Sequence, residues 1–355
     1  MPASAFYSKW SGGATTSTAQ SVISTCYSTF EGFISDNYMF MDINECFHWL
    51  NEVRKQIEED SYTDGWVISH DKYDVFEKLK HMFFHWKDSY EEPLWKYVCN
   101  LDDNEINRIY YKNRLVEFTE DHPYILTLHR LIMEKINVYP ILDKKTAGRS
   151  DWEDYIPSEL KGKFESGKEY NSFAQNEAFM DPNSIPKTVE KEVKELSEIY
   201  MKYVYTRYLV FDRIYRLKNF GRKTVVVIDT DSNILALDEW IDFCFDKFAN
   251  ESDKDKENKE FILINTITYT LTQVVTDILL YYGECSNIPE EFRPRFNMKN
   301  ELTIKWLIQN LFNCWELSMR QSAAKTYKKI KRFIFISLRC HSKTAKGNDI
   351  PANYV

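Results

Sequence analysis

One change of hydrophobic period constrains this chain more than any other feature. Across residues 186–217, Val189, Val193, Leu196, Tyr200, Tyr203, Phe211 and Ile214 form a helical stripe among Lys and Glu. After Gly221 the pattern switches to Thr224-Val225-Val226-Val227-Ile228, a β-branched run of strand length. The polar group Asp229-Thr230-Asp231-Ser232-Asn233 interrupts that run, and Ile234-Leu235-Ala236-Leu237 resumes it. Two short apolar runs around a polar break predict a buried β-hairpin.

The rest of the chain reads as helix. Helical spacing predicts helices over 14–34, 43–59, 73–86, 103–118 and 123–137, with breaks at Thr63-Asp64-Gly65 and Glu91-Glu92-Pro93. Periodicity fades over 146–182. Asp238 suits the cap of a helix over 239–250; residues 252–260 (SDKDKENKE) read as a solvated charged linker, and 261–284 as another helix. Ten glycines and ten prolines among 355 residues are too few for a turn-dense all-β fold, so the expected class is α+β with helix dominant.

Lys and Arg number 46 against 54 Asp and Glu, a net charge of −8, so no global basic field is available to hold nucleic acid. Seven scattered cysteines without a CxxC pair favour free thiols and a reducing compartment. The N-terminus lacks a charged segment followed by an apolar one, and no apolar run approaches a membrane span. The expectation is a soluble cytoplasmic protein with no membrane partner.

Asp229 and Asp231 carry the chemistry. In extended chain, residues two apart point to one face, so two carboxylates share one small site. They repel, and desolvation beside the Val and Ile run worsens this, so the pair calls for nearby cations. Mg²⁺ suits carboxylate oxygens and leaves much of its shell to water and substrate phosphates, as two-metal phosphoryl transfer requires. The competing reading is a polar hairpin turn, since Asp, Ser and Asn are favoured turn residues. A calcium loop fails: its glycine position holds Ile234 and its twelfth position holds Trp240.

The stretch VVVIDTDSNILALDEW resembles motif C of family B DNA polymerases, the strand-turn-strand of the palm, in its large-bacteriophage form. Residues 179–223 resemble the lead-in to that motif, MPASAFYSKWSGGATTSTAQSVIST the palm segment just after motif B, and RPRFNMKNE the palm strand that follows motif C. The resemblance covers residues 1–301 with gaps. It implies that Asp231 is the principal ligand of two Mg²⁺ ions and Asp229 the second acidic position, with Thr230 and Ser232 shaping the turn. Glu301 is similar to a palm glutamate near the metals. Lys299 and Lys223 are the candidate DNA or phosphate contacts, against the plainer reading of Lys299 as a surface lysine. The implied partners are primer-template DNA and deoxynucleoside triphosphates, in the cytoplasm of an infected bacterial host.

Departures qualify the resemblance. Motif A, motif B and the exonuclease signature are absent, so the isolated chain is expected to be inactive unless a second chain supplies them. After Glu301 the resemblance stops, and from Lys299 to Lys346 eleven Lys or Arg face two acids. A basic tail touching DNA backbone, an interruption of the gene and a solvated face compete as explanations; the interruption is favoured because both ends of the similar segment fall inside the expected domain. The expected organisation is a palm segment at 1–36, a helical insertion at 37–184, palm with motif C at 185–301 and a divergent basic tail at 302–355. The alternatives are a non-catalytic helical phage protein and a DNA-binding accessory. His81 and His85, four apart, lack the glutamate of the zinc protease motif, and Cys340-His341 has no second ligand pair.

Overall fold

A computed structural model describes residues 9–37, 40–59, 69–136, 139, 142–178, 185, 187–209, 223–228, 232–248, 253–304 and 333–340. Within them the elements run α1 (Lys9–Ser35), α2 (Ile43–Glu58), α3 (Lys72–His81), α4 (Glu91–Cys99), α5 (Asp103–Tyr111), α6 (Leu115–Asp121), α7 (Pro123–Lys135), α8 (Gly167–Ala178) and α9 (Glu190–Tyr203). Then come β1 (Val225–Ile228), β2 (Ser232–Ala236), α10 (Asp238–Phe248), α11 (Asp253–Cys285), β3 (Phe296–Ile304) and β4 (Phe333–Cys340). Helix dominates, and the strands form one small antiparallel sheet in the order β1-β2-β4-β3, as the α+β expectation requires.

Several helix boundaries follow local chemistry. Asp71 and Asp102 each close a capping box, with Asp74 and Glu105 respectively, and Pro123 sits in the first turn of α7 behind the cap His122. Five expectations need correction: the helix expected over 186–217 ends as α9 at Tyr203, with 205–209 not helical, and that over 73–86 ends as α3 at His81. Glu91-Glu92-Pro93 starts α4 instead of breaking the chain, because proline is tolerated in a first helical turn and acids favour a helix N-terminus. The helix expected over 103–118 is two: Asn113 takes a left-handed φ of 63°, which Asn tolerates, and its N–H donates to the Val204 carbonyl at 2.8 Å. The supposed linker at 252–260 forms the first turns of α11, since Lys and Glu are good helix formers.

The largest core joins α1, α6, α7, α9, α10 and α11 to the sheet through residues such as Phe30, Phe118, Tyr203, Val225, Leu235 and Ile278. Helices α6 and α7 lie within the stretch expected as an insertion, yet they share this core. A second core packs α2 to α5 around Trp49, Val75, Leu79 and Leu94. A third, small one gathers Trp152, Leu160 and Tyr170. The stretch expected as a divergent tail supplies β4, a central strand between β2 and β3.

Buried cations join these cores by capping helix ends. The Lys78 Nζ donates to the carbonyls of Ile109 at 3.1 Å and Tyr110 at 2.7 Å, and to that of Lys112. The Lys112 Nζ in turn donates to the carbonyls of Lys202, in the last turn of α9, and of Tyr205, just past its end, both at 2.9 Å. Cations are favourable there because the last carbonyls of a helix lack intrahelical partners. Burial pushes the Lys78 ammonium down to about 7 from 10.5, with Asp36 opposing. The unfolded chain therefore binds more protons between those values, so this group's contribution makes stability rise with pH across that window. Lys78→Met takes a donor from three carbonyls, of which that of Ile109 still accepts the Lys112 N–H, but also removes the cost of burying the ammonium, so the net change in urea unfolding at pH 7 is expected to stay within about 2 kcal/mol. It should also remove the rise in stability between pH 7 and 10; an unchanged slope would refute the assignment.

Candidate active site

The predicted hairpin is present. β1 and β2 pair antiparallel through Val225↔Leu235, Val227↔Ile234 and Ile228↔Asn233, with a bulge between Val225 and Val227. Asp229, Thr230 and Asp231 lie outside the described residues; by chain connectivity they join the last pair of the ladder to Ser232, the first residue of β2. The two faces of the hairpin differ. Val225 and Leu235 are fully buried against the helices, whereas Val227 is 42% exposed. Asn233 is buried on β2, and among the described residues neither its amide nitrogen nor its amide oxygen has a hydrogen-bond partner.

Register carries the neighbourhood across the sheet. Ser232 is opposite Ser337 of β4, and Ser337 is opposite Lys299 of β3. Lys299 therefore stands level with the start of β2, two strands away, about 10 Å by ordinary strand spacing. Glu301 is the extra residue of a bulge between Asn300 and Leu302. Lys223 lies at the other end of β1, with an exposed side chain whose Nζ points to the Ser35 carbonyl at 3.4 Å. The register thus sets Lys299 level with Ser232 and Glu301 between the levels of Asn233 and Ile234, and leaves Lys223 beyond the far end of β1.

The start of β1 is held by α1. Glu31, fully buried, accepts the backbone N–H of Lys223 at 3.1 Å on Oε2, and those of Thr224 at 2.9 Å and Val225 at 2.6 Å on Oε1. The Asn37 amide donates to its Oε2 at 2.6 Å, and the Ser35 and Thr224 hydroxyls hydrogen-bond beside it. Next in the chain, Asp36 meets Arg114 Nε at 3.4 Å, and burial raises its carboxyl against the pull of Lys78, Arg114 and Lys223.

A second polar chain, invisible in the sequence, runs through the main core. Thr119 Oγ1 meets the Tyr200 hydroxyl at 2.9 Å, which meets His129 Nε2 at 2.5 Å; Cys244 Sγ lies 3.9 Å from His129 Nδ1. Burial pushes His129 down to about 4 and Cys244 up to about 12, so both stay neutral and the thiol is no nucleophile. His81 ends α3 and His85 lies beyond it, so they do not share a helical face. Among the described residues, no group of three or more His, Cys, Asp or Glu side chains could hold a metal. Asp229 and Asp231 carry hard oxygen donors of the kind Mg²⁺ takes, and both lie outside the described residues.

Residues 141–310 match the family model of divergent family B DNA polymerase. That stretch contains the hairpin, α10, α11 and β3, and it relates the chain to DNA polymerases. No curated protein and no solved structure matches.

The orphaned amide of Asn233 gives a direct test of the hairpin. A buried polar group without a partner costs about 1–3 kcal/mol, so Asn233→Leu should leave thermal stability equal or higher, whereas Asn233→Asp should lower it. A large loss on Asn233→Leu, measured by calorimetry, would show that the amide is satisfied.

Proposed function

We propose that this hairpin is the metal-binding turn of a phage-type family B polymerase palm, serving template-directed attack of a primer 3′ hydroxyl on a deoxynucleoside triphosphate. The observation that carries the reading is an antiparallel ladder closing on Asp229-Thr230-Asp231-Ser232 inside the polymerase-like stretch. Asp231 and Asp229 are the proposed ligands of two Mg²⁺ ions, which when bound lower the pKa of the attacking hydroxyl and neutralise the leaving pyrophosphate. Thr230 and Ser232 shape the turn. Glu301 is the proposed further acidic group near the metals, and Lys299, level with Ser232, and Lys223 are the proposed phosphate contacts. The exposed face carrying Val227 is the proposed floor on which the primer-template end rests.

In this reading residues 1–36 and 185–301 form the palm. Motifs A and B and the exonuclease come from a second chain, in the cytoplasm of an infected bacterium. Among the described residues no helix is long and apolar enough to cross a membrane.

Two measurements test the proposal. Mn²⁺ titration followed by electron paramagnetic resonance should give weak binding that Asp231→Asn abolishes; binding indifferent to that substitution favours a purely structural turn. Primer extension should be absent for the chain alone and appear when it is mixed with a segment bearing motifs A and B, and Asp231→Ala should abolish it. Extension by the lone chain would overturn the claim of incompleteness. An accessory acting through the basic residues beyond 302 would instead bind DNA with affinity falling steeply with salt, independently of Asp231.

A further inference from the structure

We infer that Glu31 is a positioning residue for the aspartate turn: its carboxylate, presented by α1, sets the register of β1 and so decides where Asp229 and Asp231 fall. The inference rests on the metal-binding reading of the hairpin. Its geometry is independent of that reading.

A regular edge strand turns its N–H groups alternately toward its neighbour and away from it. Here one carboxylate accepts three successive N–H groups, those of Lys223, Thr224 and Val225. Three consecutive amides cannot converge on one acceptor group in regular strand geometry, so the backbone departs from that geometry where it enters β1. The ladder shows the result: Val225 pairs with Leu235, but Val227 pairs with Ile234, and one extra residue is absorbed between them. That residue matters because a slip of one position exchanges the two faces of a strand. The Thr224 carbonyl still accepts the Ala236 N–H at 2.8 Å, which anchors the same turn of chain to β2 from the other side. From Val225 to Asp229 are only four residues, so register set at the start of the strand is transmitted directly to the turn.

Glu31→Gln keeps the shape but replaces one acceptor oxygen with a donor, which faces backbone donors. Amide hydrogen exchange in the full chain should then speed up about 10-fold over Lys223 to Ile228, the loss expected from one charge-assisted hydrogen bond, with residues 43–111 unchanged. The Mn²⁺ dissociation constant should rise about 10-fold, as for loss of a group that orients metal ligands. Glu31→Asp, which keeps two acceptor oxygens on a shorter arm, should restore part of both and serves if the glutamine variant does not fold. Unchanged exchange in β1 overturns the inference, and so does faster exchange with an unaltered Mn²⁺ constant, which marks Glu31 as structural only. If the wild-type chain shows no Asp231-dependent Mn²⁺ binding, the polymerase reading has failed and takes this inference with it. Wild-type binding that Glu31→Gln leaves intact overturns the inference alone.

Discussion

A carboxylate buried without partners is too costly for a protein interior, and the Glu31 site shows how that cost becomes a constraint. The group is tolerable only because backbone amides of one segment and the Asn37 side chain arrive together. α1 and β1, about 190 positions apart in the chain, must therefore form in concert. The helical layer and the sheet are one cooperative structure, and the hairpin inherits its position from a helix that contributes no candidate chemistry of its own.

The same economy governs the buried cations. Lys78, Lys112 and Arg108 are almost wholly enclosed, and each donates to or caps carbonyls at the end of a helix in another part of the fold. These contacts are directional, unlike apolar packing. Those of Lys78 tie α3 to the end of α5, and those of Arg108 and Lys112 tie the end of α5 to the end of α9.

What the sequence made legible was local. The stripe in α9, the β-branched runs and the polar break between them depend on neighbours within a few residues, so period and turn chemistry were enough. α4 and the Asn113 break were missed because proline and asparagine each have two uses, and only the surrounding packing selects one. Glu31, Lys78 and His129 read as ordinary members of helical patterns; their partners lie tens to hundreds of residues away. The bulge at Glu301 could not be foreseen either, because it exists only in register with β4, in a stretch whose composition suggested an unrelated tail. The aspartate pair was legible as chemistry, while its setting required the ladder.

β1 is the outermost strand on its side of the sheet. Such margins ordinarily offer free amides to any passing extended chain, and proteins suffer aggregation through them unless they are blunted. By occupying the first amides of that margin from within the same molecule, Glu31 leaves a stranger little to hold at that end. An acidic side chain facing inward thereby doubles as a guard against self-association.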